Sequence, residues 1–369
     1  MSNEKNYKKI LLLANHCIGD SLFVTTFSRS LRARYPDAQI DVLVDTRGKM
    51  VFSTNPDVSN VISLSRRPNV KECLGVLREY GRYDLVVNER QNDRPTLYSF
   101  LFGRERLGVL PKPPAVAKFR RKINTHAIFE HGNREHRMSR MARMLEAINV
   151  PVVPKLVSPY EAIPESVLAK LPKKYLVIHT PASNEIKQWS VDYWVETIKQ
   201  LIAAGYNLVL TGAPGGRDAK IVGEIVGEIA SQYGEHPQLF NLIGELTLAQ
   251  TSALIKASMG FVGTDSGPGH LASSYNVPII SIISVAAASE WSPWPYEHPI
   301  DGNKNLWSNR IPVKQVIGNV TVLQSDRDCV PCSGNSCKIS DDLHSPCLND
   351  ITPQRVVAAV LDAVPLENH

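Results

Sequence analysis

The sequence predicts an α/β protein made of two Rossmann-like, doubly wound domains facing a central cleft, and three observations carry that expectation. Short apolar runs alternate with amphipathic stretches through both halves of the chain, the succession of strand and helix that builds parallel sheets. A proline-rich stretch, residues 151–172, holds five prolines and no clean periodicity, which marks an interdomain connection. The length of 369 residues exceeds one ordinary core and suits two.

Taken in order, Lys9 to Ala14 reads as a buried strand and Ser21 to Arg34 as a helix. Ile40 to Val44 is a strand, Asn69 to Tyr80 a helix and Asp84 to Val87 a strand. Glu135 to Ile148 is a helix whose methionines, Met138 and Met141, fall on the same face as Leu145 and Ile148 and read as core filler. The second half restarts with a strand at Tyr175 to His179 and a helix at Val191 to Ala204. Leu208 to Thr211 follows as a strand, then helices at Ile221 to Ile229 and Leu248 to Ala257. Gly260 to Gly263, a helix from Pro268 to Tyr275 and a strand from Pro278 to Ile283 complete it. The expected division is 1–160 and 161–350. A last helix within 351–369 is expected to pack back on the first domain. In open sheets of this kind ligands bind outside the carboxyl ends of the strands.

Composition is that of a globular protein, 43% apolar and 21% charged. The opening apolar run, Ile10 to Ala14, is too short for a signal-peptide core. The stretch from Val277 to Ala288 is broken by Pro278 and falls short of a bilayer span. A cytoplasmic protein is therefore expected. Charge is uneven: residues 94–143 carry 12 Lys or Arg against 3 Glu. Such a block is a solvated face or a contact with an anionic surface. No nucleic-acid motif accompanies it, so the expected partner is a phosphorylated or membrane-surface acceptor. Arg120, Arg121 and Lys122 are the candidate acceptor residues.

Neither GxGxxG after the first strand nor GxxxxGK[ST] occurs, which counts against nicotinamide and P-loop chemistry. The first strand instead leads to Gly19-Asp20-Ser21. Asp20 is either the helix N-cap or a general base that takes a proton from an acceptor hydroxyl. The strand at 260–263 leads to Thr264-Asp265-Ser266-Gly267-Pro268-Gly269-His270. The glycines there permit close approach of a ligand, and the opening helix turn offers free N–H groups to phosphate. Ser266 and His270 could add hydrogen bonds. The loop Ala182 to Ser190 offers Ser183 and Lys187 at a third strand end; the ammonium suits a leaving diphosphate, although a loop lysine is more often just solvated.

Together these stretches resemble glycosyltransferase family nine, the ADP-heptose lipopolysaccharide heptosyltransferases. The resemblance runs through Gly19-Asp20, Tyr35-Pro36-Asp37-Ala38-Gln39-Ile40-Asp41, Lys187-x-Trp189 and Asp265-Ser266-Gly267-Pro268-Gly269-His270-Leu271-Ala272, the last being the most specific. It implies the GT-B architecture, with 1–160 binding the acceptor and 161–350 the nucleotide sugar. It also implies an inverting transfer of heptose from ADP-heptose to a lipopolysaccharide core at the inner face of the inner membrane, without a catalytic cofactor. Asp20 would be the base. Ser183, Lys187, Asp265, Ser266, Gly267 and His270 match nucleotide-sugar positions, Leu246 the adenine contact and Asp218 the ribose contact. The chain departs from the family at Asn15-His16-Cys17-Ile18, where the core enzymes are rich in Arg and Ser. Two rival readings are a protein heptosyltransferase acting on autotransporter adhesins and a catalytically silent nucleotide-sugar-binding protein.

Of six cysteines, Cys17 and Cys73 sit in apolar contexts and read as inert. Cys329, Cys332, Cys337 and Cys347 crowd into 19 residues. A C-x2-C pair with two further thiols can make a tetrahedral S₄ site for structural zinc or iron; disulfides are disfavoured in a cytoplasmic protein.

Overall fold

A computed structural model describes residues 5–14, 17–65, 68–90, 92–112, 118–131, 134–301, 305–308, 313–333, 336–337, 339–340 and 345–366. It divides into two compact units, 1–159 with 299–304, and 160–298 with 305–369. The boundary falls inside the proline stretch. Up to Val157 the chain lies along the first helix, where the Val153 and Val157 N–H groups donate to Ser30 Oγ and Thr25 Oγ1, both at 2.9 Å.

The first unit runs β1 (Lys9–Ala14), α1 (Ile18–Arg34), β2 (Gln39–Val44), α2 (Thr46–Phe52), β3 (Asn60–Ser63), α3 (Val70–Tyr80), β4 (Tyr83–Asn88), α4 (Asp93–Phe102), β5 (Gly103–Leu110), α5 (Lys118–Ile123), β6 (His126–Phe129) and α6 (Arg137–Glu146). Its six strands are parallel, in the order β3-β2-β1-β4-β5-β6. Strands covered on both faces need continuous apolar runs, and Ile10 to Leu12 are 0% exposed. A polar exception, Asp41 in β2, is fully buried. It is satisfied by Gln39 Nε2 at 2.7 Å, Asn60 Nδ2 at 2.8 Å and Tyr83 Oη at 2.8 Å. Asn69 and Glu72 start α3 with a reciprocal capping box. Met138, Met141 and Met144 of α6 are core residues.

The second unit runs α7 (Glu165–Leu168), β7 (Leu176–His179), α8 (Val191–Ala203), β8 (Leu208–Leu210), α9 (Gly216–Tyr233), β9 (Leu239–Asn241), α10 (Leu248–Ala257), β10 (Gly260–Thr264), α11 (Gly267–Ala272), β11 (Ile279–Ile283), α12 (Ala288–Trp291), β12 (Lys314–Ile317), β13 (Val320–Gln324) and α13 (Pro353–Ala363). The order is β12-β13-β11-β10-β7-β8-β9. Only the β12–β13 hairpin is antiparallel among these pairings.

Within the second unit the closing helix α13 places Val356, Val357 and Val360 in the same core cluster as Trp194, Ile198 and Leu201 of α8, and Tyr206 Oη donates to the Val364 carbonyl at 2.5 Å. Its apolar face fits the trough that α8 leaves on the sheet, which periodicity alone does not reveal.

Candidate functional site

In each unit the strand order reverses at one point, between β1 and β4 and between β7 and β10, and there the loops leaving the carboxyl ends diverge. Both points hold a charged pair.

In the first unit Asp20 is the third residue of α1, not its cap; the N-cap is Cys17, which makes no side-chain cap bond and is exposed, contrary to the inert core position expected for it. The Asp20 carboxylate is 17% exposed and lies 3.6 Å from Nη2 of Arg90, just beyond the end of β4. Sequence reasoning missed Arg90, because an arginine after a strand carries no spacing signal. Beneath it Glu89 pairs with Arg137 Nη2 at 2.6 Å, the side chains 1% and 11% exposed. His136, fully buried, packs edge-on to Phe23, and its Nδ1 accepts the Met138 N–H at 3.1 Å. A buried ion pair of this kind resists losing either partner, so Glu89 and Arg137 fix the floor under Arg90. The expected acceptor residues lie on α5. Arg120 is held by Asp93 at 2.8 Å, whereas Arg121 and Lys122 are exposed.

In the second unit Lys187 Nζ and Asp265 Oδ2 are 2.6 Å apart, with side chains 24% and 8% exposed. Two candidates 78 residues apart are thus brought together at the ends of β7 and β10. Ser266 is the N-cap of α11 but makes no side-chain cap bond, and its buried Oγ has no hydrogen-bond partner among the described residues. Gly267 begins α11 and His270 is buried within it. That helix is only six residues long, so the cationic charge at this strand end comes from Lys187. Ser183 is exposed in the loop after β7, and Leu246 is half-buried before α10.

Asp218 lies in the first turn of α9, where its Oδ2 accepts the Ala213 N–H at 2.9 Å, so it braces its own loop. Its charge also acts on His179 at the end of β7. Burial pushes the His179 imidazole down to about 4, with Asp218 and the Thr211 contact opposing. Arg217 reaches Glu185 at 3.2 Å and ties this loop to the one carrying Lys187; neither Arg217 nor His179 was singled out from sequence.

Burial pushes the Cys347 thiol up to about 11; the Ser345 hydrogen bond opposes this, and Cys329, Cys332 and Cys337 add to it. Among the described residues, however, no three His, Cys, Asp or Glu side chains are grouped so as to hold an ion.

The sequence model of glycosyltransferase family 9 (heptosyltransferase) matches residues 134–314, which take in Lys187, Asp265 and His270. The chain belongs to glycosyltransferase family 9. It is 26% identical to lipopolysaccharide heptosyltransferase 3 of Escherichia coli K12 over 340 residues, covering 81% of this chain and 93% of that one. The solved structure of E. coli ADP-heptose lipopolysaccharide heptosyltransferase II superposes with a TM-score of 0.69 at 20% identity, covering 96% and 98% of the two chains. The iron-containing dodecameric glycosyltransferase TibC of enterotoxigenic E. coli gives 0.54 at 12% identity, covering 97% and 79%. The family 9 chain is a glycosyltransferase with the GT-B pair of Rossmann-like domains. Among its described residues no helix is long and apolar enough to cross a membrane.

Proposed function

We propose that this family 9 enzyme transfers heptose from ADP-heptose, with inversion, to a hydroxyl of a lipopolysaccharide core acceptor. The single observation carrying this reading is the Lys187–Asp265 pair at the strand end where the family's most specific motif begins, together with relatives named lipopolysaccharide heptosyltransferase. The acceptor oxygen attacks the anomeric carbon as the bond from that carbon to the diphosphate breaks. ADP leaves with the bonding pair, and the hydroxyl proton passes to the Asp20 carboxylate. Lys187 neutralises charge growing on the departing diphosphate, an interaction that strengthens in the transition state. Ser183, Ser266, Gly267 and His270 are assigned to the donor. Leu246 is assigned to the adenine and Asp218 to the ribose side, Asp218 being reached after release from Ala213. Arg121 and Lys122, with Arg120 anchored on Asp93, are assigned to an anionic acceptor at the inner face of the inner membrane, which places the enzyme in the cytoplasm.

A second reading, transfer to a protein acceptor, is favoured by the four cysteines close together in the C-terminal sequence and by the iron-containing TibC match. In either reading Cys329, Cys332, Cys337 and Cys347 are the residues that would hold zinc or iron. Four soft sulfurs suit both metals, and the ion would tie down the segment without entering the reaction. Turnover of ADP-heptose against deacylated lipopolysaccharide and against an autotransporter fragment separates the two acceptors. Absence of turnover with either, alongside tight donor binding, would favour a silent binding protein.

A further inference from the structure

The turn that carries Lys187 is held from a distant part of the chain. Residues 185–187 form one tight turn, and two sets of bonds fix it. Gln188, buried, closes the loop on itself: Nε2 donates to the Thr180 and Trp189 carbonyls at 2.9 Å each, while Oε1 accepts the Ala182 N–H at 2.9 Å.

The second set comes from residues 345–351, the stretch that contains Cys347. Ser345 Oγ donates to the Ile186 carbonyl at 2.7 Å. Trp189 Nε1 donates to the carbonyls of Ile351 and Leu348 at 3.0 and 3.3 Å. Ser345 is 1% exposed and Trp189 0%, so water does not readily replace either bond. The carbonyl that Ser345 holds belongs to the peptide joining Ile186 to Lys187. Fixing that peptide plane fixes the direction in which the Lys187 side chain leaves the backbone, and so its approach to Asp265.

We propose that Ser345 is a positioning residue for the nucleotide-sugar donor, acting through the Ile186–Lys187 peptide. The inference rests on the reading of Lys187 as the cation that meets the diphosphate. A misdirected lysine weakens ground-state and transition-state contacts together. Remote segments that set a ligand residue's geometry commonly act in this way.

The test uses the full chain with ADP as the probe, by calorimetry, and donor and acceptor kinetics. Ser345→Ala should weaken ADP binding about three- to tenfold, the scale of one lost buried hydrogen bond, and raise the donor KM while leaving the acceptor KM unchanged. Ser345→Thr, which keeps the hydroxyl, should restore both. In a Lys187→Ala background Ser345→Ala should have no further effect on ADP, because coupled residues do not add. If the alanine variant does not fold, Ser345→Val against Ser345→Thr makes the same comparison at constant volume. Equal losses in the two backgrounds, or unaltered ADP affinity with a lowered Tm, would overturn the proposal. Unaltered ADP affinity in Lys187→Ala alone would instead overturn the donor reading on which it rests.

Discussion

The Lys187 ammonium rests 2.6 Å from the Asp265 carboxylate, so the cation at this strand end is already oriented and already shared. Asp20 and Arg90 occupy the equivalent strand junction of the first unit. Each half of the molecule thus presents one acid and one base where its sheet changes direction.

Lys187→Ala should weaken ADP binding by about 10- to 100-fold, the worth of a hydrogen bond to a charged group, and slow transfer with it. It also leaves the 8%-exposed Asp265 side chain without its partner, so Tm should fall. Calorimetry with ADP and a melting curve read the two effects separately.

Asp20→Asn should lower turnover by about 10²–10⁴-fold with ADP affinity held, since an amide of the same size cannot accept the proton. The helix N-cap is Cys17, so the loss of about 1 kcal/mol that follows removal of a cap is not expected. Full activity in the variant would remove Asp20 from the mechanism.

Neutralising Arg121 and Lys122, both exposed, should raise the KM of an anionic acceptor and spare that of the donor. The effect should shrink as salt is added, because exposed charges are screened. Arg120→Ala differs: it breaks the Asp93 contact and its result mixes structure with binding. A rise in donor KM alone would place the acceptor elsewhere.

His179 gives a pH dependence whose sign is fixed. Its folded value of about 4 lies below the ordinary value of about 6.5, so the unfolded chain binds the extra proton first. Stability is full above about pH 6.5 and falls as pH drops towards 4, by on the order of 3 kcal/mol at most. Urea midpoints across this range should fall less steeply in His179→Asn than in the parent; parallel curves would show that the imidazole is not held neutral.

Freshly purified protein should carry close to one equivalent of zinc or iron, lost in Cys332→Ser together with some thermal stability. Metal-free protein with four reactive C-terminal thiols and an unaltered melting curve would defeat the metal assignment.

Much of this organisation was legible in the sequence where local chemistry speaks. The glycines and proline of 267–269 marked a strand-to-helix turn, and apolar runs such as Leu11 to Leu13 marked buried parallel strands. What escaped was set by partners far away. Arg90 and Asp20 are 70 residues apart, and only the junction of β1 and β4 makes them neighbours. Asp218 was named through the family resemblance alone, and its bond to the Ala213 N–H of its own loop carries no sequence signal. The amphipathic face of α13 announced that it must pack, but its partner α8 lies far back in the chain and sequence spacing does not name it.

The indole of Trp189 joins several of these parts. It is fully buried, stands 4.8 Å from the Trp194 ring at 88°, and donates to carbonyls of the C-terminal segment. Its fluorescence should therefore come from a dry, hydrogen-bonded ring two residues from Lys187. Loosening of the 345–351 segment would wet that ring and shift its emission to the red. The enzyme thus carries a built-in optical reporter of whether its C-terminal segment is docked, readable without any label.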